Sequence, residues 1–419
     1  MKRRRGLFKY LVKYLTAEHE VRMADQSAVT GKRQETQVSL LNNPKMRGLF
    51  YQAVVFISVF ALIYWIIGNT AANLQRLNIA SGFDFLKSRA GFDVSQSLIS
   101  YDADSNYARA FVVGLLNTLY VAVLGIITAS VIGFLVGIGR LSGNWLIAKI
   151  CTIYVETFRN IPPLLVIFFW YFGVMSVLPE VRGSYALPFD TYLNKRGFFF
   201  PSIIWGENAW LIFAAFVAAV IAAFVIHRWA RLRQAKTGQI FPFWRVALAL
   251  IIGLPALAFF ITGMPVSFDI PKLGSFNLTG GTQVKPEFLA LYLALSFYTA
   301  SFIAETVRGG IKGVSKGQSE AAAALGLRRP QAMRLVVVPQ AMRIIIPPLS
   351  SQYLNLTKNS SLAIAIGYPD LMAVGGTVLN QTGQAVEVVA IWMAVYLGIS
   401  LITSAFMNWF NAKMALVER

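Results

Sequence analysis

Long apolar segments without charge alternate with polar, charged segments along the chain. Seven stretches contain no charged residue over a length that suits a membrane span: 50–67, 110–139, 161–178, 209–226, 246–264, 288–304 and 388–410. Each approaches or exceeds the roughly 17 to 25 apolar residues that a helix needs to cross about 30 Å of hydrocarbon. The pattern predicts an all-α integral membrane protein.

An eighth segment, 344–366, is less apolar because it contains Asn, Gln and Lys358, and its adjacent Pro347 and Pro348 are expected to break the start of a helix. We nevertheless predict that it spans the membrane. If this segment is counted as a span, the C-terminal tail lies on the same side of the membrane as the N-terminus. The segment 367–387, which has no Lys or Arg, then lies on the other side. The sequence therefore predicts about eight transmembrane helices.

The distribution of charge gives this topology a direction. With eight spans, 28 of the 38 Lys and Arg residues lie on the side of the N-terminus and nine on the other side. Positive residues accumulate on the cytoplasmic side of membrane proteins, so we expect both termini to be cytoplasmic. The net charge of +19 could also suit a nucleic-acid-binding protein, but the membrane explains it fully, and no nucleic-acid partner is predicted.

The N-terminal region is basic and polar. Lysines at positions 9 and 13 interrupt its apolar residues and no small-residue cleavage site follows, so a secretory signal is rejected. One helical face of its first 15 residues is apolar, which suits a helix on the inner membrane surface. We predict a cytoplasmic leader over 1–49, a first transmembrane helix over 50–67 and a cytoplasmic tail over 409–419.

Residues for catalysis or metal binding are sparse. The single cysteine, Cys151, cannot form an intrachain disulfide, and His19 and His227 have no partner at metal-ligand spacing. The chain lacks a hydrolytic triad and the GxxxxGK[ST] phosphate-binding sequence. We therefore predict a protein that is not an enzyme and binds no cofactor or metal; if ATP drives it, another chain must bind the ATP.

A polar interruption at 315–339 predicts two short helices joined by a tight turn. Ser315 can cap the first helix, with Gln318 as the returning side chain of a capping box. Gly326 suits a left-handed residue that ends this helix, and Pro330 suits the first turn of the second. That second helix must end or kink near Pro339.

The spacing of Glu320-Ala321-Ala322, Gly326 and Val336-x-Val338-Pro339 resembles the EAA loop of ABC importer membrane subunits. In that family this loop is the helical elbow that docks into the ATPase subunit. Its pattern usually has isoleucine and leucine where this chain has two valines, which keep the apolar character. The resemblance assigns ATPase docking to Glu320, Ala321, Ala322, Gly326 and Pro339.

Further motifs extend the resemblance to about 111–408, as an ABC transmembrane type-1 permease domain. They are Gly114-Leu-Leu-Asn117-Thr118, Glu156-Thr-Phe-Arg159-Asn160-Ile-Pro162-Pro163, the run from Tyr298 to Ile311, and Lys358-Asn359-Ser360-Ser361-Leu362. They are similar to the polar amino-acid permease branch, which includes the histidine permeases. The resemblance implies a type I importer fold with a five-helix core, into which the helix pair at 209–264 is inserted. The enlarged size and Ile167-Phe-Phe-Trp170-Tyr-Phe look like a membrane subunit of a general L-amino-acid importer.

The resemblance also implies partners and a location. They are ATP-binding cassette ATPase subunits that bind the ATP, a second and different permease subunit, and a periplasmic amino-acid-binding protein. The site of action is the lipid bilayer of the bacterial inner membrane. Broad specificity for L-amino acids, polar ones included, follows from the resemblance alone.

Polar residues inside the predicted spans are candidates for the substrate path. A lysine at the centre of a membrane helix costs about 2.5 to 3.5 kcal/mol, so Lys358 should face the bundle interior, a lumen or the bilayer edge. With Asn355, Asn359 and Ser360 it could bind an amino-acid zwitterion; equally, Lys358 could form a structural ion pair with Glu305. Tyr298 is a further candidate and lies on the helical face of Glu305. The two could line the same path, but we expect Glu305 at the water interface beside Arg308.

Two other kinds of protein remain as alternatives. A secondary amino-acid transporter driven by an ion gradient would explain eight spans and an intramembrane lysine, but gives no reason for the elbow. A membrane scaffold would not need the polar and proline-rich spans.

Overall fold

The computed structural model describes residues 44–76, 82–274 and 277–414. The predicted leader helix, His19 and the last five residues lie outside this part of the chain. The first of two units, residues 1–80, contains the uninterrupted helix α1 (Pro44–Arg76), whose segment Met46–Thr70 is long and apolar enough to cross a membrane. The predicted span 50–67 lies within it.

The second unit, residues 81–419, is mainly helical. Its helices in chain order are α2 (Tyr107–Gly139), α3 (Trp145–Asn160), α4 (Pro163–Phe168), α5 (Trp210–Thr237), α6 (Phe243–Ile261), α7 (Pro286–Lys312), α8 (Lys316–Ala324), α9 (Arg329–Ala332), α10 (Val338–Asn359), α11 (Leu371–Thr382) and α12 (Ala385–Met414). A π-helical turn, Met333–Val337, joins α9 to α10, and a 3₁₀ segment, Ser360–Ile366, follows α10. A further π-helical turn and a 3₁₀ turn extend α4 to Val177.

The described residues contain seven helical segments long and apolar enough to span a membrane. An eighth candidate is the pair Trp145–Asn160 and Pro163–Val177, which is bent by 111°. The third predicted span, 161–178, coincides with the second arm of this pair. The bend follows from Pro162 and Pro163, because a residue before proline is pushed out of the helical region.

The eighth predicted span is helical, since 344–366 lies within the long run Arg329–Ile366. The expectation that Pro347 and Pro348 break its start is wrong, because both lie inside α10. The two prolines face outward, whereas Ile345, Ile346 and Leu349 are buried against the core. Packing on both sides of the prolines holds the helix together, as neighbouring helices do for other membrane helices that contain proline.

The core is built around α7, which packs most extensively on α2. Glycines make this approach close: a Cβ atom at Gly133 would lie 2.6 Å from the Cβ of Ile303, and one at Gly137 would lie 2.7 Å from the carbonyl oxygen of Ala304. Real Cβ atoms essentially never come this close to another atom. Small residues at such crossings let membrane helices gain van der Waals contact that a larger residue would prevent.

Helix α10 packs on α7 and α12. Gly310 of α7 receives the side chain of Ile345, and Gly125 of α2 receives Leu356 from the other end of α10. α11 and α12 complete the core through Trp392, whose indole N–H donates to the carbonyl oxygen of Leu371 at 3.0 Å. The second unit thus buries a continuous apolar centre among α2, α7 and α10.

The segments 179–208 and 265–287, which the predicted eight spans place on the side opposite to the N-terminus, contain short antiparallel strands that the helical pattern did not predict. β1 (Tyr185–Leu187), β2 (Thr191–Asn194), β3 (Gly197–Phe200) and β8 (Thr282–Val284) form one sheet in that order. β4 (Ser202–Trp205) pairs with β5 (Val266–Asp269), and β6 (Lys272–Leu273) with β7 (Leu278–Thr279). The β4–β5 pair holds together the two ends of the chain segment that carries α5 and α6.

Helices α5 and α6 pack on each other. Within the described residues, neither helix makes more than isolated contacts with the core helices. The helix pair predicted as an insertion over 209–264 is therefore a hairpin outside the core packing.

The α2–α7 crossing generates a stability prediction. Gly133→Ala should lower the free energy of unfolding by about 1 to 3 kcal/mol, because the added methyl group overpacks the contact with Ile303. Gly398→Ala in α12 is the matched control, since a Cβ there meets nothing within 4 Å. The control should be neutral or slightly stabilising, because alanine favours a helix over glycine. Thermal unfolding in detergent measures both, and equal effects would contradict the close crossing.

Candidate coupling elbow and polar helix face

The polar segment between α7 and α10 forms an elbow, which we define as residues 315–339. Its first helix, α8, ends at Gly326, whose φ of +75° is left-handed. The N–H of Leu327 donates to the carbonyl oxygen of Ala322 at 3.1 Å, and that of Gly326 donates to Ala323 at 2.9 Å. These two bonds form a complete Schellman motif. The predicted helix-ending role of Gly326 is confirmed.

The start of the elbow differs from the prediction. The side chain of Ser315 makes no capping hydrogen bond, so the predicted Ser315–Gln318 capping box is wrong. The amide oxygen of Gln318 instead accepts from Nε2 of Gln340 at 3.0 Å. Because the side chain of Gln318 is engaged in this tertiary contact with α10, it does not complete the capping box.

The second short helix, α9, begins as expected. Pro330 lies in its first turn, and the N–H of Arg328 donates to Oε1 of Gln331 at 3.0 Å. The π-helical turn that follows interrupts the regular helix directly before Pro339, which lies in the first turn of α10. This π-helical turn is the predicted kink near Pro339. It interrupts the regular hydrogen-bond pattern at the point where proline has no N–H to donate and its ring would clash with a preceding carbonyl group.

The elbow presents a mixed surface. Glu320 and Ala321 are exposed, whereas Ala322 is only 3% exposed because it packs inward. Leu325, directly before the turn glycine, is 81% exposed. The sequence analysis missed Leu325; an apolar residue beside a helix-ending glycine in a polar segment was the available signal. The elbow thus combines an exposed carboxylate with an exposed apolar side chain beside its turn.

A charged cluster lies near the end of α7 that leads into the elbow. The carboxylate of Glu305 binds two guanidinium groups. One belongs to Arg140, which directly follows α2, and the other to Arg308, one turn further along α7. Nη1 of Arg159, at the end of α3, lies 4.0 Å from Oε2 of Glu305. Glu305 therefore ties three helices together, and the expectation that it lies beside Arg308 is confirmed.

The alternative in which Glu305 pairs with Lys358 is wrong, because Glu305 is already held by arginines. Within the described part of the chain, no ion pair involves Lys358. Lys358 and Asn355 are exposed and lie three residues apart on one face of α10, with Ser351 a further turn away. Polar groups on this face are not covered by their own chain.

The other predicted path residues are arranged differently. Asn359 is half-buried, and Ser360 is buried with its hydroxyl donating to the carbonyl oxygen of Thr357 at 2.7 Å. Tyr298 is half-buried on α7 and its ring lies 5.0 Å from that of Phe302. No hydrogen bond within the described residues joins Tyr298 to the α10 residues. The structure thus groups Asn355 and Lys358 on one open face and turns Ser360 inward.

A buried polar cluster joins α2 to the start of α11. Nδ2 of Asn117 donates to the carbonyl oxygen of Pro369 at 2.9 Å, and Oγ1 of Thr118 accepts from the N–H of Leu371 at 3.1 Å. The hydroxyl of Tyr368 donates to the carbonyl oxygen of Asn117 at 3.2 Å. Asp370 caps α11 by accepting from the N–H of Ala373, and burial raises the pKa of its carboxyl group to about 7. These contacts fix α2 against the connection that follows α10.

Comparison with known proteins places this architecture in a family. Residues 240–416 match the family described as binding-protein-dependent transport system inner membrane component. The general L-amino acid transport system permease protein AapQ of Rhizobium johnstonii is 64% identical, over 91% of this chain and 95% of that protein. The putative amino-acid ABC transporter permease protein YhdX of Escherichia coli is 50% identical, over 90% and 96%. The glutamate/glutamine/aspartate/asparagine transport system permease protein BztB of Rhodobacter capsulatus is 39% identical, over 91% and 96%.

The arginine cluster generates a second stability prediction. Glu305→Gln should lower the free energy of unfolding by about 1 to 2 kcal/mol, since it leaves the largely buried Arg140 without its counter-charge. Glu156→Gln is the matched control: Glu156 is exposed, and no ion pair in the described residues involves it. Thermal unfolding in detergent compares the two. A loss for Glu305→Gln no larger than that for the control would contradict a structural role of the cluster.

Proposed function

Because the chain belongs to the family of amino-acid permease subunits of ABC transporters, we propose that it forms one membrane half of an importer that carries L-amino acids across the bacterial inner membrane. The observation that carries this proposal is the elbow. It is a bent, exposed pair of short helices placed between two long core helices. A permease driven by a separate ATPase needs such a surface to receive the motion of its partner.

The packing of α7 and α10 supports a coupling role. The elbow joins the end of α7 to the start of α10, and both helices are buried against the core. Gln318 and Gln340 also connect α8 to α10 directly. A displacement of α8 would therefore reach both helices, and through Glu305 it would reach α2 and α3. Closely packed elements transmit such movements because the interior does not compress.

We assign the elbow to the cytoplasmic side. The loop between α5 and α6 and the elbow are separated by two crossings, α6 and α7, so they lie on the same side of the membrane. Both segments are rich in Lys and Arg, whereas the segment 367–384 has neither. The positive-inside rule then gives a cytoplasmic elbow, with a cytoplasmic C-terminus after α12 and a cytoplasmic N-terminus before α1.

The open face of α10 suits a translocation path at the junction with a second permease subunit. An unpaired lysine in contact with hydrocarbon is costly, so this face requires water or protein against it. Lys358 can bind the carboxylate of an amino acid, and Asn355 can accept from its ammonium group. The family to which the chain belongs is described as binding-protein-dependent, so a soluble binding protein would deliver substrate to the opposite, strand-bearing face.

A third prediction tests the elbow. Gly326→Asp should reduce ATP-dependent uptake by at least about tenfold while the protein still inserts, because a side chain and a charge enter the docking turn. Gly238→Asp is a matched control: its φ of +70° is equally left-handed, and a Cβ at either glycine meets nothing within 4 Å. Both variants therefore carry the same backbone strain, of about 1 to 2 kcal/mol.

The measurement is uptake of labelled amino acids into vesicles that contain the full importer, with ATP supplied and the proton gradient collapsed. Equal uptake by the two variants would contradict docking at the elbow. Uptake that persists without ATP and follows the proton gradient would favour a secondary transporter instead.

A fourth prediction tests the path. Lys358→Met should lower uptake by at least about tenfold with the amount of assembled complex unchanged, because the substrate carboxylate loses its cation. Lys358→Arg, which keeps the charge, should retain more uptake than Lys358→Met. Uptake and co-purification of the partner subunits are measured on the same membranes. Parallel loss of uptake and assembly would assign Lys358 to structure.

A further inference from the structure

A cavity lies between the end of α5 and the start of α6. Its volume is about 550 Å³, which is in the range of small-ligand sites. From α5 it is lined by His227, Arg231 and Gln234, which follow one helical face, and from α6 by Phe243, Trp244 and Arg245. It belongs to the hairpin outside the core packing and is remote in sequence from the elbow.

The charge of this hairpin is one-sided. Residues 210–264 contain five Lys and Arg and no Asp or Glu. Arg231 and Arg245 both line the cavity, and within the described residues neither forms an ion pair or a side-chain hydrogen bond. By contrast, Nη2 of Arg233 donates to Gln239 at 2.7 Å and its guanidinium lies 5.4 Å from the ring centre of Trp229. The cavity therefore presents two arginines without an anion.

Aromatic rings frame the same cavity. The rings of His227 and Phe243 lie 4.6 Å apart, and those of Trp229 and Phe241 lie 5.4 Å apart. Trp244 is exposed at the first turn of α6. Tryptophan and arginine at helix ends are typical of the level of lipid headgroups, where one side of the residue is apolar and the other is wet. On the topology proposed above, the cavity therefore opens at the membrane surface, on the side of the elbow.

We propose that this cavity binds the phosphate group of an anionic phospholipid from the cytoplasmic leaflet. The two guanidinium groups bind phosphate oxygens, and Gln234 and His227 supply further donors. Phe224 and Leu232, which line an adjoining pocket with His227 and Arg231, are exposed, and acyl chains can lie on them. Basic pockets between membrane helices on the cytoplasmic side suit such headgroups.

The general excess of positive charge on the cytoplasmic side does not by itself explain this arrangement. The positive-inside rule depends on the number of Lys and Arg residues in a loop and not on their exact positions. For orienting the hairpin, Lys236 would therefore be equivalent to Arg231. Lys236 is exposed and does not line the cavity. The proposal therefore predicts that residues of equal charge in one hairpin differ in their effect on lipid binding.

The experiment titrates the purified full-length protein in detergent with cardiolipin and counts bound lipid by native mass spectrometry. Arg231→Gln and Arg245→Gln should each weaken cardiolipin binding by at least about tenfold, because each removes a charge-assisted contact. Lys236→Gln removes the same charge and should change binding by less than about twofold. A second arm adds inorganic phosphate, which should not displace the lipid, since it lacks acyl chains.

Three results would overturn the proposal. They are equal weakening by Lys236→Gln and Arg231→Gln, no weakening by either arginine variant, or displacement of cardiolipin by inorganic phosphate at concentrations comparable with the lipid. If Arg231→Gln fails to fold, Arg231→Lys is measured instead, because lysine keeps the charge but not the bidentate geometry. Several-fold weaker cardiolipin binding by this variant supports the site, and unchanged binding overturns it.

Discussion

The close crossing of α2 and α7 is the contact on which the rest of the second unit depends. Gly133 and Gly137 let the two helices approach until side chains of α7 touch the backbone of α2. Because α2 ends at Gly139, two residues after Gly137, the crossing also brings Arg140 to Glu305. Without that approach, the carboxylate of Glu305 would keep Arg308 on its own helix but would lose Arg140. The same two glycines thus permit both the apolar packing of α2 on α7 and the ion pair that joins the two helices.

The close crossing of α2 and α7 also determines how the elbow is connected to the membrane core. Glu305 lies two turns before the end of α7, so the arginine cluster lies where the elbow is attached. α10 returns along α7 and is held there by Ile345 against Gly310. The elbow therefore connects two helices that are already fixed to each other. A rigid attachment of this kind favours movement of the core as a body over local bending of α7.

Much of this architecture could be predicted from the sequence, and the failures have physical causes. Membrane spans were predictable because uncharged length is a property of each segment alone, and Gly326 was predictable because a left-handed turn needs glycine. The Ser315–Gln318 box failed because Gln318 finds a partner 22 residues away in Gln340. The strands in the outer loops were not predicted because they are two to four residues long, too short for a periodic pattern. Leu325 was missed because exposure of a single leucine depends on the packing of the whole turn.

The candidate path shows why a sequence motif only partly defines a site. Lys358, Asn359 and Ser360 are consecutive, yet only Lys358 is exposed, Asn359 is half-buried and Ser360 is buried. Consecutive helical residues point about 100° apart, and the helix changes from α to 3₁₀ at Ser360, which turns that hydroxyl toward the backbone of Thr357. Asn355, three residues before Lys358 and four before Asn359, lies between those two around the helix and is exposed like Lys358. The candidate site is therefore a helix face and not the contiguous motif, and a polar face left open by its own chain requires either water or a second subunit to cover it.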